Sequence, residues 1–207
     1  MICYNIFMNF EIVLATTNQH KLQEFRKILS PHGILVYGLN DLNFKVPEVE
    51  ENGETYLDNA LIKAKSVLPF TTFPIIADDT GLEIKAMNNE PGLKTARFAQ
   101  ELGGYENAFN KIFNELEGKE RDARFYCGIV ILNIEEKPLK FEGIMEGKIA
   151  SEIRGKAGFG YDPIFIPQGF DKCYAEMSEE EKNTISHRAK ALLKFLTYLR
   201  LTGRINK

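Results

Sequence analysis

The chain predicts an α/β protein built on a mixed β-sheet, and three observations carry that prediction. Residues 11–16 have the apolar, β-branched pattern of a buried strand and pass through a short polar loop into a one-sided helix. Residues 74–77 repeat the buried-strand pattern and meet two adjacent carboxylates, Asp78 and Asp79. Two long β-rich segments, 123–134 and 139–149, flank the hairpin signal Glu135-Glu136-Lys137 and make antiparallel neighbours.

The first helix carries Leu22, Phe25, Ile28 and Leu29 at helical spacing. The loop before it, Thr16-Thr17-Asn18-Gln19-His20-Lys21, faces the helix's free N–H groups and positive dipole end. Thr16, Asn18 and Lys21 are candidates to complete an anion site there. The plain alternative is that Thr17 or Asn18 caps the helix and Lys21 is solvated. Pro31-His32-Gly33 stops the helix, and 34–39 is a second strand. An acidic loop, 46–54, precedes a helix over 55–68 with Leu57, Ala60, Leu61, Ala64 and Leu68 inward. Glu50 and Glu51 are possible metal ligands in that loop. Lys63 and Lys65 on the helix are candidates to reach a phosphate or only water.

At Asp78-Asp79-Thr80-Gly81 the strand is expected to end. Side chains alternate faces along a strand, so the two carboxylates point opposite ways if it continues. Carboxylates at a buried strand end hold Mg²⁺ against phosphate in many sites; the alternative is an Asx-type turn in which Gly81 supplies a positive φ. Asn88 to Gly92 signals a turn, Arg97 is a phosphate or ion-pair candidate, and a helix is expected over 106–117. Gly155 to Pro163 is glycine-rich: Phe159 and Tyr161 flank Gly160 and offer flat surface for a base, or pack as core. Asp162 precedes a proline, which favours extended backbone. Ser178 with Glu181 matches a capping box, and Ser186, His187 and Arg188 open a helix that buries Ala191, Leu192, Phe195, Leu196 and Leu199.

At 207 residues, 44% hydrophobic and 27% charged, the composition is that of an ordinary globular protein. A net charge of −3 argues against a nucleic-acid partner but permits a single nucleotide. Cys3, Cys127 and Cys173 form no CxxC pair, which fits a reducing cytoplasm. No apolar run has membrane-spanning length, and the opening residues lack the basic start of a signal peptide. Met8 is an alternative start, leaving residues 1–8 as an extension to one domain.

Taken in order, Thr16-x-Asn18-x-x-Lys21, Ala77-Asp78-Asp79-Thr80-Gly81-Leu82, Pro91-Gly92-x-x-Thr95-Ala96-Arg97, Phe159-Gly160-Tyr161-Asp162-Pro163 and Ser186-His187-Arg188 make a specific set. With them the chain resembles the inosine/xanthosine triphosphate pyrophosphatases from about residue 11 to residue 201. The resemblance implies a long, mixed, curved sheet with helices on both sides, two lobes around a cleft, and a homodimer. It implies Mg²⁺-dependent hydrolysis of ITP, dITP and XTP to the monophosphate and pyrophosphate, with Mn²⁺ a possible substitute. Asp79 then matches the general base and a metal ligand, and Glu50, with Glu51 adjacent, the other metal carboxylate. Thr16, Asn18, Lys21 and Lys63 match the phosphate grip, with Thr17, Gln19 and His20 in the same loop, and Thr80 a further contact. Phe159 matches the residue stacked on the purine, within Phe159-Gly160-Tyr161; Asp162, Lys182, His187 and Arg188 match the base and substrate pocket. The chain departs at Thr17, where glycine is usual, and at Thr80 and Thr95, where serine is. The rival readings are a pyrophosphatase for modified pyrimidine nucleotides and a silent nucleotide-binding regulator.

Overall fold

The computed structural model describes residues 10–43 and 45–206; residues 1–8 and Cys3 lie outside that range. The described residues form one mixed sheet of seven strands, β1 (Phe10–Leu14), β2 (Ile34–Gly38), β3 (Ile75–Ile84), β4 (Glu90–Gly92), β5 (Asp122–Leu132), β6 (Leu139–Ile149) and β7 (Phe165–Pro167). Their order is β2-β1-β3-β5-β6-β7, with β4 against the far end of β3. β1 lies parallel to β2 and β3, and every other pairing is antiparallel. Six helices accompany them: α1 (Gln19–Leu29), α2 (Tyr56–Val67), α3 (Thr95–Glu101), α4 (Tyr105–Glu115), α5 (Glu179–Ile185) and α6 (His187–Leu201).

Strand periodicity of two divides the core. Ile12, Leu14, Ile76, Cys127, Ile129 and Ile131 face α1 and α6, whose Leu22, Phe25, Leu29, Ala191, Leu192 and Phe195 they bury. The intervening Val13, Ala15, Ile75, Ala77, Val130 and Leu132 face Ala60, Ala64 and Val67 of α2. Helices thus cover both sides, as expected. Beyond residue 81 the long strands carry a second lobe, where Leu82, Ile84, Phe125, Met145 and Ile149 pack against α3, α4 and the aromatics Tyr161, Phe165 and Tyr174.

Several local expectations change. β3 does not end at the carboxylates but runs ten residues through them, because β5 pairs with it from Ile75↔Leu132 to Ile84↔Ala123. Gly81 therefore sits in strand, outside the positive-φ positions, and is needed for close approach: a Cβ there would overlap the Gly92 carbonyl and the Tyr56 ring. The left-handed turn falls at Asn88 and Asn89, with φ of 54° and 65°. Leu68 is exposed in a single turn after α2, and the buried polar Asn59 joins that helix's inner face instead. No helix among the described residues is long and apolar enough to cross a membrane.

Pairing register locates the cleft. β1 meets β3 only at Val13↔Ile75 and Leu14↔Ile76, and β4 meets it only at residues 82–84. Between those contacts the edge of residues 77–81 has no neighbouring strand among the described residues. From β1 the chain passes through α1 to β2 on one side, then through α2 to β3 on the other, so the strand order reverses at β1. The mouth of such a reversal, at the carboxyl ends of parallel strands, is where open α/β sheets bind ligands.

Candidate active site

Because β3 continues, its two carboxylates leave opposite faces of the strand at that open edge. Asp78 turns toward α1 and α6. Its Oδ2 accepts from Arg188 Nη2 at 3.1 Å and from Thr80 Oγ1 at 3.1 Å, and lies 3.0 Å from Lys21 Nζ. Burial pushes its pKa up, but Lys21, Arg188 and Lys63 outweigh burial and hold it well below the usual carboxylate range. Arg188 also pairs with Glu24, while Lys182 Nζ donates to Glu24 at 2.8 Å and to Asp162 at 2.6 Å. Asp78, Arg188, Glu24, Lys182 and Asp162 are an alternating chain of charges drawn from β3, α6, α1, α5 and the glycine-rich loop. Buried charges survive only when compensated in this way.

Asp79 turns toward α2. Asn59 Nδ2 donates to its Oδ2 at 2.9 Å, and its Oδ1 accepts the Thr80 N–H at 3.0 Å and faces Lys63 Nζ at 3.4 Å. Here burial prevails over Lys63 and Lys21, and the pKa of Asp79 is raised. Lys63 is raised too: burial lowers it, but Asp79, Asp78 and Glu51 together favour its charge more. The two directions agree once it is seen that one ammonium serves several carboxylates. Lys65, the other helix candidate, is exposed.

The partner that Lys63 shares with Asp79 is Glu51, at 2.9 Å. Glu50, the expected carboxylate, is exposed and makes no ion pair among the described residues. Neighbouring side chains on a non-helical backbone diverge, so a shift of one residue decides which carboxylate reaches the lysine. Arg97 fixes the loop by donating to the Glu51 carbonyl at 2.6 Å, a structural use of a phosphate candidate.

In the first loop, Asn18 caps α1 by accepting the His20 and Lys21 N–H groups at 2.9 and 3.2 Å, and Thr16 Oγ1 accepts the Asn18 N–H. The capping alternative holds for Asn18, while Lys21 is half-buried and paired with Asp78 rather than free in solvent. Thr17 and Gln19 are exposed at the rim. Beside them a pocket of about 230 Å³ is lined by His20, Glu24, Phe159, Tyr174, Lys182 and Asn183, among others. The His20 and Phe159 rings stack at 5.1 Å and 12°, and Lys182 Nζ lies 4.8 Å from the Phe159 centroid.

Tyr161 does not share that surface. It is buried in the second lobe, edge-on to Tyr105 and Phe109, and its hydroxyl donates to the Thr95 carbonyl at 3.0 Å. Gly160, at φ 64°, makes the bend that turns Phe159 outward and Tyr161 inward. Asp162 lies in a tight helical turn instead of extended backbone, since its carboxylate accepts the Phe159 N–H at 2.8 Å while bonding Lys182. His187 is buried against Phe125, rings 4.6 Å apart, and burial, then Arg188 and Lys182, lowers its pKa well below the ordinary value. It stands there as a neutral ring.

Two contributors escaped the sequence reading. Glu24 lies one helical turn after Lys21, and Asn59 one turn before Lys63. The signal in both cases was a polar residue sharing a helical face with a candidate lysine.

Among the described residues no three His, Cys, Asp or Glu side chains group as a metal cage. Glu51 and Asp79 nevertheless converge on one cation, the Lys63 ammonium. An ion that also binds substrate phosphates needs only one or two protein carboxylates, so this donor set fits a divalent cation of that kind.

Known proteins resemble this chain in sequence and in fold. The Ham1 family profile matches residues 12–198. A dITP/XTP pyrophosphatase of Desulfotalea psychrophila is 45% identical over 87% of this chain and 81% of its own, and one of Bacillus subtilis is 43% identical over 89% and 94%. The structure of a HAM1 protein from Coxiella burnetii superimposes with a TM-score of 0.81 at 39% identity, covering 92% of this chain and 98% of its own. The match spans both lobes and every charged group of the cleft, and the chain belongs to the Ham1 family.

Proposed function

We propose that this chain hydrolyses non-standard purine nucleoside triphosphates, ITP, dITP and XTP, to the monophosphate and pyrophosphate. The observation that carries the reading is the pair of strand carboxylates on opposite faces of β3, one locked by cations and one left with a raised pKa beside a lysine. The names of the relatives support the substrate class. A divalent metal is consistent with the family, and we take it to be Mg²⁺ held by Glu51 and Asp79, with Glu51 in place of the expected Glu50. When bound, that ion neutralises phosphate charge.

The protein's own groups do the rest. Asp79 accepts the proton of the attacking water, and Asn59 fixes its orientation. Lys63 and Lys21 bind the polyphosphate; the water oxygen bonds to the α-phosphorus as the P–O bond to the β-phosphate breaks, and the two ammonium groups offset the negative charge of the leaving pyrophosphate. Phe159 supplies the stacking face, with Lys182 and His20 around it. Arg188 and Asp162 act by holding the pocket walls, and a hydrogen-bond donor of the pocket meets the 6-oxo group of the base. Mispairing that position with the amino group of adenine costs ~10⁴ in selectivity in sites built on such a bond. A homodimer in the cytoplasm completes the reading.

The test is pyrophosphate release from ITP, XTP, dITP, ATP and GTP, with Mg²⁺ and with EDTA. Metal-dependent release confined to the first three is expected. Release from modified pyrimidine nucleotides instead, or ITP binding with no release, would replace this reading with one of its rivals.

A further inference from the structure

Tyr174 sits in the single turn Tyr174–Glu176 that leads into α5, with its ring packed on Phe165 at 5.2 Å and Phe125 at 6.1 Å. A phenylalanine would make those contacts as well. The tyrosine adds a hydroxyl that is shut off from solvent and has no hydrogen-bond partner among the described residues. Leaving such a donor unpaired is costly, and buried polar groups without a partner are few in folded proteins. The same residue lines the pocket of Phe159 and His20, and Lys182 Nζ lies 5.5 Å from its ring centroid. Burial first, then the charges of Asp162 and Glu24, raise the phenol's pKa, so its hydroxyl stays a neutral O–H.

We propose that Tyr174 is a specificity-determining residue whose O–H donates to an oxo group of the purine held against Phe159. The assignment rests on the nucleotide reading above and extends it by a contact that the motifs do not include. It accounts for the unpaired hydroxyl: solvent does not reach it in the ligand-free chain, so the entering base displaces a neighbouring side chain of the pocket wall and brings the partner with it. The bond belongs to base binding and not to phosphorus chemistry, so its loss falls on KM and leaves kcat in place.

Tyr174→Phe tests this with four readouts: melting temperature without ligand, steady-state ITP hydrolysis, and calorimetric binding of IMP and of pyrophosphate to wild type and variant. The expected result is an unchanged or higher melting temperature, a KM for ITP raised about three- to ten-fold, kcat within two-fold, weaker IMP binding and unaltered pyrophosphate binding. Unchanged IMP affinity would overturn the assignment. So would a lower melting temperature with IMP and pyrophosphate weakened alike, which marks a packing role or a hydroxyl satisfied by internal water. Failure of wild type to cleave ITP would sink the parent reading separately, while IMP calorimetry still decides Tyr174.

Discussion

Asp78 and Asp79 are chemically identical neighbours, and their surroundings give them different work. Asp78 is compensated by three cations and stays ionised, whereas Asp79 pays for burial with a raised pKa. Asp79→Asn is expected to lower turnover by about 10²–10⁴ while leaving the ligand-free melting temperature unchanged or higher, because it removes a buried charge that folding does not favour. A clear loss of stability in that variant, measured by thermal unfolding, would contradict the assignment. The adjacent glutamates separate in the same way. Glu51→Gln should cost about 10² or more in kcat/KM and Glu50→Gln less than about three-fold, compared at saturating Mg²⁺.

At the level of elements, the site depends on how closely helices approach the sheet. α6 lies on β6 where Gly143 leaves room: a Cβ there would overlap the His187 carbonyl and the Ala191 N–H. That contact sets the first turn of α6, and with it Arg188. Gly143→Ala is expected to cost about 1–3 kcal/mol, read from urea unfolding, and to reduce ITP hydrolysis through Arg188. Arg188 is itself tied to Asp78 and Glu24. Its removal leaves Asp78 and Glu24 buried without their guanidinium, a loss of about 3–5 kcal/mol in comparable pairs.

Across the whole molecule, the alternating charge chain ties both lobes and so makes stability depend on pH. Asp78 and Glu24 both have lowered pKa values in the fold; for Glu24, burial raises it but Arg188 and Lys182 prevail. Unfolded carboxylates take up protons near pH 4, before these two do, so their contribution is complete above about pH 5 and is lost as pH falls below about 4. Asp79 runs the opposite way, its cost appearing as pH rises through its own pKa. Urea midpoints measured from pH 7 to pH 3 should therefore fall, and Glu24→Gln should fall less steeply because it lacks one of the lowered groups. An equal slope in both proteins would remove Glu24 from the account.

Much of this was legible in the sequence because periodicity and capping are local. The strand at 11–16, the stripe Leu22, Phe25 and Leu29, the hairpin at 135–137, the Ser178–Glu181 box and the buried face of α6 follow from spacing and side-chain chemistry alone. Ordered motifs added the family and, through it, the two lobes. Other features arise only when distant segments meet. Pairing with β5 carried β3 through its carboxylates, the direction of the loop brought Glu51 and not Glu50 to Lys63, and packing in the second lobe turned Tyr161 and His187 inward. Glu24 acquired its role from lysine and arginine more than 150 positions away. Secondary structure is written in neighbours along the chain, but the charge state and orientation of a buried group are set by whatever the fold packs against it.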